Sequence, residues 1–362
     1  MWTLRHSSIP KRINGKSVTI NGKIYSIDNY QAVRHAVHRY LFDVYVFHPA
    51  SHRWDVLQTE SAPDGGPVYF LGHSVVAYGH CAYVWGKSNI GPWVNGVYRF
   101  DTRTLTWSRP EECGQMPRPH IGHSACVLGQ RMYVFGGFSM DSPHHVFFLD
   151  LETMKWHRVA TSGEATAQRC FHTATAIGTR MYVWGGQVNG AEDNDCYDNR
   201  LYYLETTTSV WVRPQVRGVR PVGRKHHAAF VYDGELYICG GYSGRLGTCF
   251  ADMHKYDLEK SCWIEVKPSG LGPSARYSHG CCALGQRVFV FGGHGPPANP
   301  EDGEHIDDTS EEGKVLTDLH LLQLAPTLKN LCLLAVIGAG LRVCELPATI
   351  RREIEAITSG PP

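Results

Sequence analysis

Apolar residues in this chain fall in short runs, and the runs return on a long period. In the stretch 124–159, SACVL (124–128) is followed by the turn residues GQR, then by RMYVF (131–135), HVFFLDL (145–151) and KWHRV (155–159). The later runs alternate apolar and polar positions, and none keeps a helical period, so the stretch reads as four short strands joined by turns. Three landmarks keep the same beat. Tryptophans stand at Trp2, Trp54, Trp107, Trp156, Trp211 and Trp263, with gaps of 52, 53, 49, 55 and 52 residues. Histidines recur at His73, His123, His172, His227 and His279, each ahead of an apolar run. Glycine pairs follow the second strand at Gly136–Gly137, Gly185–Gly186, Gly240–Gly241 and Gly292–Gly293. A four-stranded unit repeated at this spacing is one blade of a circular array, a β-propeller.

Six such units can be counted. The last, carrying FVF, Gly292–Gly293 and LHLLQL (319–324), has no tryptophan after its third strand, whereas Trp2 precedes any other landmark. The N-terminal segment is therefore expected to supply the outer strand of the sixth blade and close the ring, which leaves no unpaired blade at the end of the array. Removing the first dozen residues should then destabilise the fold. The glycine pairs fit the crowded centre, where a Cβ would collide with the next blade, and the tryptophans fit the wedges between blades. Two units depart from the pattern. The first has Asp28–Asn29 at the pair and Gly15 at the histidine position, and the second has Gly86–Lys87. Asp and Asn tolerate left-handed backbone, so the first blade is expected to form with some strain; Lys87 has no such excuse.

The glycine pair and tryptophan at this spacing resemble the kelch family of β-propellers over residues 1–324. The fold class is thus all-β, a six-bladed kelch propeller closed by its N-terminal strand, with a short helical tail over 325–362. Composition narrows the function classes. A formal charge of +1 with 19% charged residues gives no bias toward polyanions, so direct nucleic-acid binding is not expected. MWTLRHSSIPKR lacks the apolar core of a signal peptide, and the longest apolar run, LCLLAVIGAGL (331–341), is too short to span a bilayer. The 12 cysteines are scattered without CxxC spacing, as small buried hydrophobes in a reducing compartment are; neither they nor His226–His227 show metal-site spacing. No metal or other cofactor is expected.

The tail carries its own signal. Pro326 ends the β pattern, Thr327 stands at an N-cap position, and Leu328, Cys332 and Val336 follow at i, i+4 and i+8 on one helical face. Most of the remaining helix surface is apolar too, so the helix needs cover on nearly all sides. After the Gly-Ala-Gly break at 338–340, Pro347 suits the first turn of a second helix, with Leu346, Ile350 and Ile354 on one face. TLKNLCLLAV (327–336) resembles the elongin-binding box of cullin-RING ligase receptors, and LPATIRREI (346–354) resembles the cullin-2 box. The two stand in order directly after a six-bladed ring, as in the kelch substrate receptors of cullin-2 ubiquitin ligases. That resemblance implies that Leu328, Cys332 and Val336 dock in a groove of elongin C, with elongin B, and that Leu346, Pro347, Ile350 and Ile354 select cullin-2. It also implies a non-catalytic receptor, working in cytoplasm and nucleus, that brings substrate lysines close to a recruited conjugating enzyme for ubiquitylation and proteasomal degradation. The plainer reading makes both helices a brace beneath the ring.

Relatives of this kind hold protein C-termini, especially glycine ends, with arginines and hydroxyls at the propeller mouth, where a carboxylate requires charge-assisted donors. Mouth residues are expected from two places in each blade. Just before the histidine stand His120, Arg169, Arg224, Lys225, Arg276 and Tyr277; just after the glycine pair stand Phe138, Gln187, Tyr242, Ser243, Arg245 and His294. Each arginine could equally serve loop hydrogen bonding within the fold. Gln187 falls where relatives are expected to carry arginine, so the accepted C-termini could differ. The acidic stretch 301–313, His144–His145 and the loop 190–199 read as surface excursions. Two other classes stay open: an interaction scaffold, chromatin-associated in some kelch proteins, without ligase assembly; and an enzyme, for which Cys170, Tyr242, Tyr277 and His294 are suitably placed but form no recognisable metal set.

Overall fold

The computed structural model describes residues 1–5, 16–29, 42–61, 70–88, 95–118, 120–138, 145–164, 166–188, 197–297, 313–325, 332 and 346–351. In the third unit, four strands form at Ser124–Leu128, Arg131–Phe135, Val146–Asp150 and Lys155–Val159, each antiparallel to the next. Six sheets built this way follow one another around the ring. The second strand of a unit is buried between neighbouring sheets on both faces. It therefore reads as a nearly unbroken apolar run, with Met132, Tyr133, Val134 and Phe135 all below 5% exposed, while the third and fourth strands keep the alternation of half-buried strands.

The ring closes as expected. Trp2–Arg5 pairs antiparallel with Leu319–Gln323, Trp2 opposite Leu322, and completes the sixth sheet. A second contact fixes Trp2 in the series. Short connector segments pair parallel with outer strands, Gly114 beside Trp156 and Gly163 beside Trp211. Gly270 takes the equivalent place beside Trp2, where a Cβ would sit 2.4 Å from the Trp2 carbonyl oxygen, and Trp2 N–H donates to the Ser269 carbonyl at 2.7 Å. These connector strands had no distinctive sequence signature beyond a glycine.

The tryptophans fill the wedges between blades. Trp156 meets Trp85 of the preceding blade at 5.6 Å between ring centroids, Trp211 meets Phe135 at 5.2 Å, Trp263 meets Trp184 at 5.7 Å and Trp54 meets Phe291 at 5.0 Å. Burial of such rings is the main apolar stabilisation between sheets. The glycine pairs are explained at Gly240. Its φ is +60°, and a Cβ there would lie 2.6 Å from His279 Cε1 and 2.8 Å from the Arg276 carbonyl oxygen, both on the next blade. Backbone torsion and neighbour each exclude a side chain.

The first two units correct the expectation of strain. Their second strands run on through the pair position. Lys23–Asn29 continues in register, Asp28 opposite Asp43 and Asn29 opposite Phe42, and Cys81–Ser88 places Gly86 opposite Gly96 and Lys87 opposite Asn95. Extended backbone accepts any residue, so no left-handed turn is required of Asp28, Asn29 or Lys87.

Among the described residues, helix is confined to Cys332 and 348–351. Pro347 stands just ahead of that last turn, and its carbonyl accepts from the amides of Ile350 at 2.9 Å and Arg351 at 3.0 Å, as a proline at a helix start does.

Candidate functional site

The repeat histidines form a belt in which each links its blade to the one before. His73 Nε2 lies 3.0 Å from the Ile27 carbonyl oxygen, His123 Nε2 2.9 Å from Ser74 Oγ, His172 Nε2 2.6 Å from Ser124 Oγ and His227 Nε2 2.9 Å from Thr173 Oγ1. Burial holds three of them neutral: His123 is pushed down to about 3, and His172 and His227 fall well below the ordinary histidine value.

The residue ahead of each belt histidine is left-handed: Gly72, Gly122, Phe171, His226 and Ser278, with φ of 58°, 74°, 57°, 54° and 50°. For a residue with a side chain this conformation costs about 1–2 kcal/mol, and the blade contacts hold it in place. Phe171 N–H donates to the Gly122 carbonyl at 2.7 Å, His226 N–H to that of Phe171 at 3.1 Å, and Ser278 N–H to that of His226 at 2.9 Å. The Phe171 and His226 rings stack at 4.3 Å, and Ser278 Oγ lies 3.1 Å from His226 Nδ1. A collar of backbone hydrogen bonds thus runs from blade to blade where the first strands begin.

The two segments expected to line the mouth pair beside this collar, and in blades five and six the bridged residues are the expected ones. Bridges join Ile121 with Phe138, Cys170 with Gln187, Lys225 with Tyr242, and Tyr277 with His294. Tyr242, Ser243, Tyr277 and Lys225 are buried, Gln187, His120 and His294 are half-buried, and Phe138 is exposed. Lys225 Nζ lies 3.4 Å from Gln187 Oε1 and 5.7 Å from the centre of the Phe171 ring. Arg245 stands at the exposed tip of the hairpin formed by Tyr242–Ser243 and Thr248–Cys249.

Arg169, Arg224 and Arg276 are placed differently from a ligand clamp. All three are fully buried, and each repeats one bonding pattern. Their Nη1 atoms donate to the carbonyls of Gly185 at 2.9 Å, Gly240 at 3.0 Å and Gly292 at 3.1 Å, the first glycine of the pair in each case. Their Nε atoms donate to carbonyls two residues back, on Ala167, Val222 and Ser274. Each also pairs with an aspartate ahead of the third strand: Arg169 with Asp198 at 2.9 Å, Arg224 with Asp252, and Arg276 with Asp318 at 2.7 and 2.8 Å. A second nitrogen group two residues on completes the cluster, Arg200 on Asp198 and the imidazoles of His254 and His320 on Asp252 and Asp318. Burial alone would raise the Asp252 and Asp318 carboxyls, but these bonds hold both well below the usual carboxylate range. In the described structure, the fold-bonding alternative for these arginines is therefore the arrangement that forms.

Sequence reading missed Asp198, Asp252 and Asp318, as well as Phe171, His226 and Ser278. A signal existed for the aspartates. Units four to six carry both the arginine three residues before the histidine and the aspartate, while the third unit has His120 at that position. The one three-residue group of metal-ligating type among the described residues, His80, Cys81 and Asp101, lies at the opposite end of its blade. There Asp101 caps the 102–104 turn, and Arg103 Nη2 stands 2.7 Å from His80 Nε2, a cation where an ion would sit. Of the tail residues, Cys332 and Pro347 are exposed and Leu346 and Ile350 half-buried; Leu328, Val336 and Ile354 lie outside the described residues.

A six-bladed ring with glycine pairs, belt histidines and wedge tryptophans defines a kelch propeller, and comparison with known proteins agrees. Residues 72–293 match the KLHDC2/KLHL20/DRC7 kelch-repeats domain. The chain belongs to the kelch-repeat family. It is 35% identical over 99% of its length to Kelch domain-containing protein 3 of Homo sapiens, of which it covers 96%, and equally to that of Bos taurus. Lower similarity, 26% over 67% of the chain, extends to the Host cell factor homolog hcf-1 of Caenorhabditis elegans, of which it covers 33%.

Proposed function

We propose that this chain is the substrate-recognition subunit of an elongin B/C–cullin-2 ubiquitin ligase, receiving protein C-termini at the propeller mouth. The observation that carries this reading is the tail: TLKNLCLLAV (327–336) followed by LPATIRREI (346–354), directly after a complete kelch ring. Two structural features support it. Cys332 is helical and exposed, as suits a residue that packs against a partner helix, and the second box begins with a helical turn at Pro347. In this reading Leu328, Cys332 and Val336 engage elongin C, and Leu346, Pro347, Ile350 and Ile354 engage cullin-2. The chain performs no chemistry; it holds substrates in cytoplasm and nucleus for ubiquitylation.

At the mouth, the buried Arg169, Arg224 and Arg276, paired with Asp198, Asp252 and Asp318, shape the walls, while donors for a terminal carboxylate come from Lys225, Gln187, Ser278 and His226, with Arg245 at the rim. A carboxylate drawn from water needs such donors to offset its desolvation.

The test is co-purification with elongin B, elongin C and cullin-2. Stoichiometric recovery by the wild type, lost in a Leu328→Ser/Cys332→Phe variant whose ring stays folded, supports the assignment. A folded wild type that recovers none of the three sinks it. The second reading, a kelch interaction scaffold without ligase assembly, is favoured by the use of the three arginines inside the fold, and predicts that the tail boxes are dispensable for partner binding.

A further inference from the structure

The histidine belt changes chemistry at one link. Ala228 stands where Ser74, Ser124 and Thr173 stand in the earlier blades, so His279 meets no hydroxyl there. Its Nε2 lies instead 3.5 Å from Cys239 Sγ, and that sulfur is 3.8 Å from Cys281 Sγ. The two thiols belong to different blades. Cys239 ends the strand Glu235–Cys239 of the fifth, and Cys281 lies in Gly280–Leu284, the first strand of the sixth. Cys239 is buried and Cys281 half-buried.

We propose that Cys239 and Cys281 are a redox modification site, forming a reversible disulfide that fastens blade five to blade six. The sulfurs must close from 3.8 Å to about 2.05 Å. The surroundings also set the two thiols apart in acidity. Contact with Cys281 and His279 draws the Cys239 thiol down against the effect of burial, while Cys281 is pushed well above its ordinary value. Cys239 is thus the sulfur that more readily gives up its proton, and the thiolate is the attacking form in thiol oxidation.

Hydrogen peroxide can serve as the oxidant. One sulfur attacks a peroxide oxygen and becomes a sulfenic acid, and the other oxygen leaves as water after taking up a proton. The second sulfur then displaces the sulfenic hydroxyl, which leaves as water with the remaining thiol proton. Two thiols and one peroxide thus give one disulfide and two waters, with two electrons passing from sulfur to oxygen. Other buried cysteines are not so placed: burial pushes Cys126 and Cys249 up to about 12 and Cys282 to about 11. The bond would fix together the blades that carry the Lys225–Tyr242 and Tyr277–His294 walls of the mouth.

The test uses the full native chain exposed to graded hydrogen peroxide, quenched in acid and alkylated in urea, then read by intact mass and peptide mass spectrometry. The expected result is a Cys239–Cys281 cross-linked peptide, an intact mass lower by about 2 Da per bond, reversal by dithiothreitol, and a higher thermal midpoint in the oxidised form. Cys281→Ser should abolish both the cross-link and the midpoint shift. The proposal is overturned if both cysteines remain alkylatable at peroxide doses that oxidise the exposed Cys113. It is equally overturned if the cross-link forms only after the chain is unfolded in urea.

Discussion

Replacing Arg276 by alanine separates a ligand-binding arginine from one that holds the blade. Its Nε, Nη1 and Nη2 atoms donate to the Ser274 carbonyl, the Gly292 carbonyl, Ser274 Oγ and both oxygens of Asp318, all inside the fold. Truncation leaves Asp318 with His320 beside it at 2.9 Å, and it strips donors from two carbonyls. Breaking a buried ion pair from one side costs about 3–5 kcal/mol, less here because Asp318 is 31% exposed, and each buried carbonyl left unpaired adds about 1–3 kcal/mol, though groups in one network do not sum. A loss of about 4 kcal/mol is expected, a large fraction of the roughly 5–15 kcal/mol that holds a native protein together. Urea unfolding followed by tryptophan fluorescence and by far-ultraviolet circular dichroism reads this as a lower midpoint at unchanged slope. Arg276→Lys keeps the charge but not the planar fork, and should recover less than half of the loss. The double variant Arg276→Met/Asp318→Leu, which removes both charges, should be more stable than Arg276→Ala. A stability for Arg276→Ala within about 0.5 kcal/mol of wild type, the range of a surface substitution, would refute the structural role.

The belt histidines predict a pH dependence. His123, His172 and His227 titrate below their unfolded values, so below about pH 6.5 the unfolded chain binds protons that the folded chain does not, and stability falls by about 1.4 kcal/mol per pH unit for each histidine still neutral in the fold. The depressed Asp252 and Asp318 add a further loss only below about pH 4, as the unfolded carboxylates protonate first; urea midpoints between pH 8 and pH 4 measure the slope, and a flat profile above pH 5 would contradict the neutral belt. Trp2→Ala removes a buried ring from the closing strand and should cost about 3–5 kcal/mol, read by the same unfolding assay. Lys225→Met should weaken binding of a glycine-ended peptide roughly 10- to 100-fold, from the 1.5–3 kcal/mol of a charged hydrogen bond. The amidated peptide should bind weakly to wild type and variant alike, and equal titration curves for acid and amide would count against a carboxylate site.

Blade order, ring closure and wedge packing were legible because each leaves a periodic mark: an unbroken apolar second strand, a tryptophan, a glycine pair. The role of Lys87 was not, because the eye reads a missing glycine as damage, whereas the chain there runs on as strand Cys81–Ser88 and never turns. The mouth was half legible. Its two contributing segments were identified and do pair, Lys225 with Tyr242 and Tyr277 with His294, but an arginine's partners lie across many residues of sequence. Arg224 meets Asp252 through a fold that period alone does not reveal. The left-handed Phe171 carried no mark either, since phenylalanine is among the last residues a sequence would offer for that conformation.

Trp2–Arg5 is made long before the strand that pairs with it. Its partner strand Leu319–Gln323 leaves the ribosome only after five complete sheets have been synthesised, and at roughly 5–20 residues per second this amounts to about a quarter of a minute to a minute. Through that interval the N-terminal strand has no sheet to join, and the first blades must hold their shape as an open arc. Closure of the ring therefore waits on the synthesis of Leu319–Gln323. A nascent chain stalled before Leu319 should leave uncovered the face of blade five on which Trp2 packs, with Tyr237, Cys239 and Met253, which makes the synthesis of Leu319–Gln323 the moment at which this ring is most in need of a chaperone.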